Sequence, residues 1–173
     1  MSHNLSAYIR DIPDFPKKGI VFKDLTTLLK NPVAFRQAAD QLFSAVIDKN
    51  IDKVVAIESR GFIFGALLAE KLNAGFVPVR KPGKLPAQKL QAEYLLEYGT
   101  DMLEIHQDAI TPGERVLLHD DLLATGGTAE AACKLIEQLG GQVVHISFLI
   151  ELGFLHGKEK LTHYAVSSLI HYD

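Results

Sequence analysis

The chain has 173 residues, 47% of them hydrophobic and 23% charged, with a formal net charge of −3. That composition belongs to a globular chain of one α/β domain's length, and it excludes a general nucleic-acid binder, which needs a basic surface. One cysteine, Cys133, rules out an internal disulfide and a cysteine-rich metal site, no apolar run reaches membrane-spanning length, and no signal-peptide pattern stands at the N-terminus, so a cytoplasmic protein is expected.

Through residue 30 the chain should be compact but irregular. Ile12-Pro13-Asp14-Phe15-Pro16 cannot carry a helix past two prolines, and residues 19–24 are expected as a short strand or extended arm. Asn31 and Pro32 make a helix start, Asn as the cap and Pro in the first turn. Phe35, Ala38, Leu42 and Ala45/Val46 give that helix an apolar stripe to about Lys49. A buried strand is predicted over 54–57, ending at Glu58-Ser59-Arg60-Gly61. A helix over 62–72 follows, its end marked by Gly75. The next strand, 76–79, closes on Arg80-Lys81. Residues 82–107 break the alternation of buried strands and helices. Leu90, Ala92, Tyr94 and Leu96 alternate, a turn falls at Tyr98-Gly99-Thr100-Asp101, and a second alternating run covers 102–106. So long an excursion is expected to be a β-ribbon flap over a binding site. Later strands are predicted over 143–149 and 164–169. The fold class is α/β, a mostly parallel central sheet with helices on both faces, in one domain over residues 1–173.

The densest stretch is Val116-Leu117-Leu118-His119-Asp120-Asp121-Leu122-Leu123-Ala124-Thr125-Gly126-Gly127-Thr128. A buried strand should end at the two carboxylates, and a Gly-rich turn should lead into a helix with Ala129, Ala132, Cys133, Ile136 and Leu139 on its apolar face. Gly126 and Gly127 allow a tight turn and a close approach of backbone to ligand. Free N–H groups at the helix start favour a phosphate, and the hydroxyls of Thr125 and Thr128 add donors. Asp120 and Asp121 would repel that phosphate and suit vicinal sugar hydroxyls instead, which together describe a ribose 5-phosphate site. Neither the P-loop nor the dinucleotide-fold glycine pattern is present. The histidines show no metal spacing, there is no G-x-S-x-G elbow, and Cys133 on a helix's apolar face reads as a buried, inert thiol.

This segment resembles the phosphoribosyl pyrophosphate (PRPP) motif of the type I phosphoribosyltransferases, and its form "DDLLATGGT" is most similar to their adenine-using branch. "PDFP-KKGIVFKDLTTLL", "ESRGF", "VRKPGKLP" and "YLLEYGTD" resemble that branch's hood, pyrophosphate loop, second basic segment and flap, in the same order along nearly the whole chain. The resemblance implies a hood over residues 1–30 with adenine held at Val21 and Phe22 and, on its other side, Leu122. It implies PRPP and pyrophosphate binding by Ser59, Arg60, Arg80, Lys81, Lys84, Asp120, Asp121, Ala124, Thr125, Gly126, Gly127 and Thr128. Catalysis would fall to Glu97, over the purine, and a non-proline cis peptide to Glu58-Ser59 or Ser59-Arg60. Mg²⁺ would be held through PRPP with no direct protein ligand, and Lys84 would reach across a homodimer. The implied reaction turns adenine and PRPP into AMP and pyrophosphate, with no nucleic-acid or membrane partner. His119 departs from the branch, which usually has an aliphatic residue there. The alternatives are transfer to another base, or a non-enzymatic PRPP-sensing regulator.

Overall fold

The computed structural model describes residues 4–95 and 99–173. The chain falls into two compact units, Met1–Gln41 and Leu42–Asp173. The division lies later than the end of the hood expected over residues 1–30.

In the first unit a 3₁₀ turn, Leu5–Tyr8, precedes a two-stranded antiparallel hairpin, β1 (Arg10–Pro13) and β2 (Val21–Asp24). The arm expected at 19–24 is therefore the hairpin's second strand. Its partner β1 went unread because it carries Pro13, which a strand tolerates only where the ladder bond is not needed, here at the strand's end. Arg10 lies opposite Asp24, and its Nε and Nη2 donate to Asp24 Oδ2 at 3.0 and 2.5 Å. The other oxygen of Asp24 accepts the Thr26 N–H at 2.9 Å, at the start of α1 (Thr26–Leu29). Hydrogen bonds from Thr26 and Arg10 hold the Asp24 carboxyl down at about 2. Asn31 Oδ1 accepts from Val33 and Ala34 N–H at 3.1 and 3.0 Å, so the predicted cap opens α2 (Pro32–Ser44). That helix ends short of Lys49, and residues 47–49 form a separate 3₁₀ turn closed by Asn50 at φ 50°.

The second unit holds β3 (Lys53–Ile57), α3 (Gly61–Lys71), β4 (Gly75–Val79), the ribbon strands β5 (Lys89–Leu95) and β6 (Thr100–His106), β7 (Arg115–Leu123), α4 (Gly127–Gln138), β8 (Gln142–Leu152) and β9 (Val166–Tyr172). Five strands form one sheet in the order β4-β3-β7-β8-β9, and every ladder in it is parallel. Helix α3 ends on Asn73 at φ 53°, while Gly75 is already the first residue of β4. Asn supplied the left-handed residue that the sequence reading gave to Gly.

The alternation along β3 sorts the two faces. Val55 and Ile57 join Val116 and Leu118 of β7 and Ala132, Cys133 and Ile136 of α4 in one buried cluster. Ala56 and His119 face the other way, toward α3, where a Cβ on Gly65 would lie 2.6 Å from Ala56 Cβ and 3.8 Å from His119 Cδ2. Helices thus cover both faces, and the sheet carries the near-continuous apolar strands this requires. The ribbon is antiparallel, with Tyr94, Leu103 and Ile105 in the core cluster and Leu90 and Ala92 packed against it. Leu96 lies outside the described residues. Among those residues no helix is long and apolar enough to cross a membrane.

Strand β7 is longer than expected. It does not stop at the acidic pair but carries Asp120 and Asp121 within it, because β8 keeps pairing out to Leu122↔Ile150 and Leu123↔Glu151. The ladder with β3 ends earlier, at Ala56↔His119. The two carboxylates therefore stand where β3 has turned away, in an opening that a sheet's carboxyl edge provides.

Candidate functional site

Strands β4, β3 and β7 are adjacent and parallel, so their carboxyl ends reach one edge of the sheet. The order reverses around β3, with β4 on one side and β7 on the other, and such a switch point is where open α/β sheets bind ligands. Arg80 and Lys81 follow β4, residues 58–61 follow β3, and residues 124–128 follow β7. The basic and acidic segments read from the sequence are thus brought together.

The loop after β3 contains a non-proline cis peptide at Glu58–Ser59. It lies directly on β7: a Cβ on Gly61 would be 2.9 Å from Asp120 Oδ1 and 3.2 Å from Asp120 Cα, so only glycine admits this approach. Arg60 Nε meets Asp121 Oδ2 at 2.9 Å, and the Asp121 side chain is only 7% exposed. The Asp121 N–H donates to Asp120 Oδ1 at 2.8 Å. Burial and then the neighbouring Asp121 charge push the Asp120 carboxyl well above the usual carboxylate range. Burial also raises Asp121, against the opposing pull of Arg60. Two crowded carboxylates in a poorly solvated place hold a polarity that hydroxyl donors would relieve.

After β7, Gly126 caps α4 at φ 81°, and a Cβ there would meet the Gly157 carbonyl. Among the described residues no side chain caps this helix, and unpaired N–H groups at a helix start suit an anion. Thr125 is exposed and Thr128 half-buried beside them. Gly127 has a different use from the one expected. Its φ is not positive, and a Cβ would lie 3.1 Å from the Leu95 carbonyl oxygen, so its bareness admits the ribbon.

The basic segment is held by carboxylates that the sequence reading missed. Glu58 Oε2 accepts the Lys81 N–H at 2.7 Å, and its two oxygens accept Arg80 Nε and Nη2 at 3.2 and 3.3 Å. Burial raises the Glu58 carboxyl, but the bonds from Lys81 and Arg80 outweigh it and the net shift is downward. Glu104 on β6 is 1% exposed, exchanges both backbone bonds with Arg80, and accepts Gly83 N–H at 3.1 Å and Gln91 Nε2 at 2.6 Å. Lys81 Nζ reaches the ribbon, where it bonds Asp101 and Tyr94. Glu58 adjoins "SRG" and offered a signal; Glu104 fell on an ordinary alternating run and Asp101 in the predicted turn, which the structure makes part of β6, and neither offered one. Ser59 and Lys84 are exposed, and the Lys84 carbonyl accepts from Arg80 Nη1 at 3.4 Å.

Leu122 sits half-buried on β7 beside the acidic pair. Val21 and Phe22 are on β2 of the first unit, Val21 exposed and Phe22 half-buried with its ring 5.3 Å, edge-on, from Phe15. Glu97 lies outside the described residues. Among the described residues no group of three His, Cys, Asp or Glu is assembled to hold a metal.

The phosphoribosyl transferase domain family matches residues 24–170 of this chain. The adenine phosphoribosyltransferase of Alkaliphilus metalliredigens is 63% identical over 169 residues, 98% of this chain and 99% of that protein. The crystal structure of the adenine phosphoribosyltransferase from Thermoanaerobacter pseudethanolicus matches with a TM-score of 0.95 at 56% identity, over 97% of this chain and 98% of the other. The Saccharomyces cerevisiae enzyme, complexed with an imino-altritol bisphosphate and adenine, matches with a TM-score of 0.89 at 43% identity, over 95% and 96%.

Proposed function

This chain belongs to the phosphoribosyl transferase family, and from that premise we propose that it is an adenine phosphoribosyltransferase, a purine salvage enzyme that converts adenine and PRPP to AMP and pyrophosphate. The observation that carries the reading is the meeting, at the switch point, of cations, an acidic pair and a helix start that no described side chain caps. Each suits one part of PRPP. The N–H groups of α4, with Ala124–Thr128 around them, take the 5′-phosphate. Asp120 and Asp121 accept the ribose hydroxyls. Ser59, Arg60, Arg80, Lys81 and Lys84 take the pyrophosphate, and Val21, Phe22 and Leu122 take adenine.

Adenine N9 attacks C1′ while pyrophosphate leaves, and the bond order passes through an oxocarbenium-like sugar. No nucleophile of the protein is needed, so catalysis consists of alignment and fixed charge. Glu97 is the group given the proton exchanged with the purine. Magnesium would be carried by PRPP and pyrophosphate themselves, and bound there it would neutralise the charge of the leaving group. Exposed Lys84 suits a homodimer in which it serves the partner's site. A cytoplasmic location accords with a single cysteine, which can form no disulfide within the chain.

Turnover of adenine, hypoxanthine, guanine and xanthine with PRPP and Mg²⁺ tests the assignment. Adenine should exceed each 6-oxopurine in kcat/KM by roughly 10⁴-fold, because a reversed hydrogen-bonding edge leaves buried groups unpaired. Comparable values for adenine and hypoxanthine would transfer the reading to another base. For the dimer, mixing inactive Lys84→Ala with inactive Asp120→Asn/Asp121→Asn should restore some activity, and re-equilibrated mixtures that stay dead remove the cross-subunit role.

A further inference from the structure

Three side chains from two parts of the second unit close on one another beside the phosphate cations. Lys81 Nζ donates to Asp101 Oδ2 and, at 3.1 Å, to the Tyr94 hydroxyl. That hydroxyl donates its own proton to the same Asp101 oxygen at 3.0 Å. The ammonium also lies 5.8 Å from the Tyr94 ring centroid. Tyr94 and Asp101 are cross-strand partners in the ribbon, one pair short of its described end at Leu95↔Thr100.

The two ends of Lys81 are anchored in different places. Its backbone N–H is fixed to Glu58, which also grips Arg80, whereas its ammonium is committed to the ribbon. Only the side chain is able to change partner. Lys81 is 43% exposed and Asp101 26%, so a dissolved anion reaches the pair without any opening of the core. Burial would depress the Lys81 ammonium, but the bonds to Asp101 and Tyr94 outweigh it and raise it; the Lys81 bond lowers Asp101 in turn. Both partners are therefore charged.

We propose that Asp101, assisted by Tyr94, is a positioning residue for Lys81, which holds the ammonium on the ribbon and gives it up to a substrate phosphate. The inference rests on the phosphate role given to Lys81 above. A carboxylate and a phosphate compete for the same donor, so Asp101 lowers the anion affinity of the empty site. When phosphate wins, the Tyr94–Asp101 bond survives and keeps the two ribbon strands together. What is lost is the tie at the ribbon's outer end, while the backbone bonds of Arg80 with Glu104 and the Gly83 bond to Glu104 still hold its inner part to the basic segment. Occupancy of the phosphate site and seating of the ribbon's Tyr94–Asp101 end are in this way coupled through one side chain.

The test is calorimetric titration of magnesium pyrophosphate into the full chain and its variants. Asp101→Asn should bind about two- to fivefold tighter than wild type, the factor that an ion pair of this exposure represents. Tyr94→Phe, which keeps the ring and removes the hydroxyl, should move affinity the same way by less. In a Lys81→Ala background Asp101→Asn should change nothing. Hydrogen exchange read by mass spectrometry supplies the second readout. Pyrophosphate should speed exchange around Tyr94 and Asp101 in wild type but not around Glu104, and Asp101→Asn should exchange fast at that outer end before any pyrophosphate is added. Unchanged or weaker binding by Asp101→Asn overturns the proposal. So does a gain that persists without Lys81, since it would then be a long-range charge effect, and so does a ribbon indifferent to pyrophosphate. If Lys81→Ala binds pyrophosphate as wild type does, the phosphate role of Lys81 falls first.

Discussion

His119 should make this protein acid-sensitive in a measurable way. The ring is fully buried on β7, with Nδ1 2.8 Å from Ser147 Oγ, Nε2 without a hydrogen-bond partner among the described residues, and the Phe64 ring 6.5 Å away. Burial is the main cause that drops its pKa from 6.5 to about 3, with a bond to the Ser147 backbone opposing. A folded pKa below the unfolded one means that the unfolded chain takes the proton first. Stability is therefore complete above about pH 6.5 and is lost as pH falls toward 3. At pH 5 the unfolded ring is nearly all protonated and the folded ring nearly all neutral, so the linkage relation gives a loss of ~2 kcal/mol relative to pH 7.5. That figure is the same for any folded pKa below about 4. The perturbation is His119→Leu/Ser147→Ala, which removes the ring and the hydroxyl that would otherwise lose its partner. Urea unfolding of both proteins at pH 7.5 and pH 5, at one protein concentration, gives the stability difference at each pH. Other groups titrate alike in both and cancel, so the variant should gain ~2 kcal/mol on wild type between the two pH values. A difference that stays flat would mean that His119 is not held neutral by its surroundings.

Asp120→Asn/Asp121→Asn should fold and lose most affinity for PRPP, since the ribose hydroxyls lose charged acceptors and Arg60 loses the partner it holds at 2.9 Å; calorimetry showing wild-type affinity would reject the ribose assignment. Glu97→Ala should lower kcat by roughly 10²–10⁴-fold with PRPP binding nearly intact, and a wild-type kcat across the pH range would remove it from the chemistry. Gly126→Ala should cost about 1–3 kcal/mol, because φ 81° is strained for alanine and its Cβ would meet the Gly157 carbonyl. Thermal unfolding with and without inorganic phosphate reads that cost, and an unshifted melting temperature would mean that the turn relaxes freely.

The layered fold was legible because its strands are buried on both faces. Runs such as Val54-Val55-Ala56-Ile57 and Val116-Leu117-Leu118 have no polar side to confuse them with surface helices, and Asn31-Pro32 announces a helix by a cap bond that depends on no distant residue. What failed to show depends on partners far along the chain. Strand β7 carries two aspartates because β8 continues beside it after β3 has left, and no local pattern announces a neighbour's length. Asn73 replaced Gly75 at a helix end because either residue tolerates the left-handed turn. Gly127 looked like part of the turn, but its place is fixed by a ribbon strand that lies well before it in the sequence.

The site divides along the same line. Arg60, Arg80 and Lys81 were legible as cations at strand ends, and the resemblance gave each a phosphate. Their carboxylate partners were not, because a sequence displays charges without their pairings. Asp121 holds Arg60, Glu58 holds Arg80, and Asp101 holds Lys81. Each acid keeps its cation ordered at the sheet's edge, where a solvated side chain would otherwise lose about 2 kcal/mol of rotamer freedom on binding. Each also opposes the incoming anion until its cation changes partner. An electrostatic count of positives near the phosphates would therefore overstate the attraction, and substitution of any of the three acids should alter PRPP affinity by the balance between lost order and removed competition. For Asp101, whose cation keeps a backbone anchor on Glu58 and is the most exposed of the three, removed competition is the larger side.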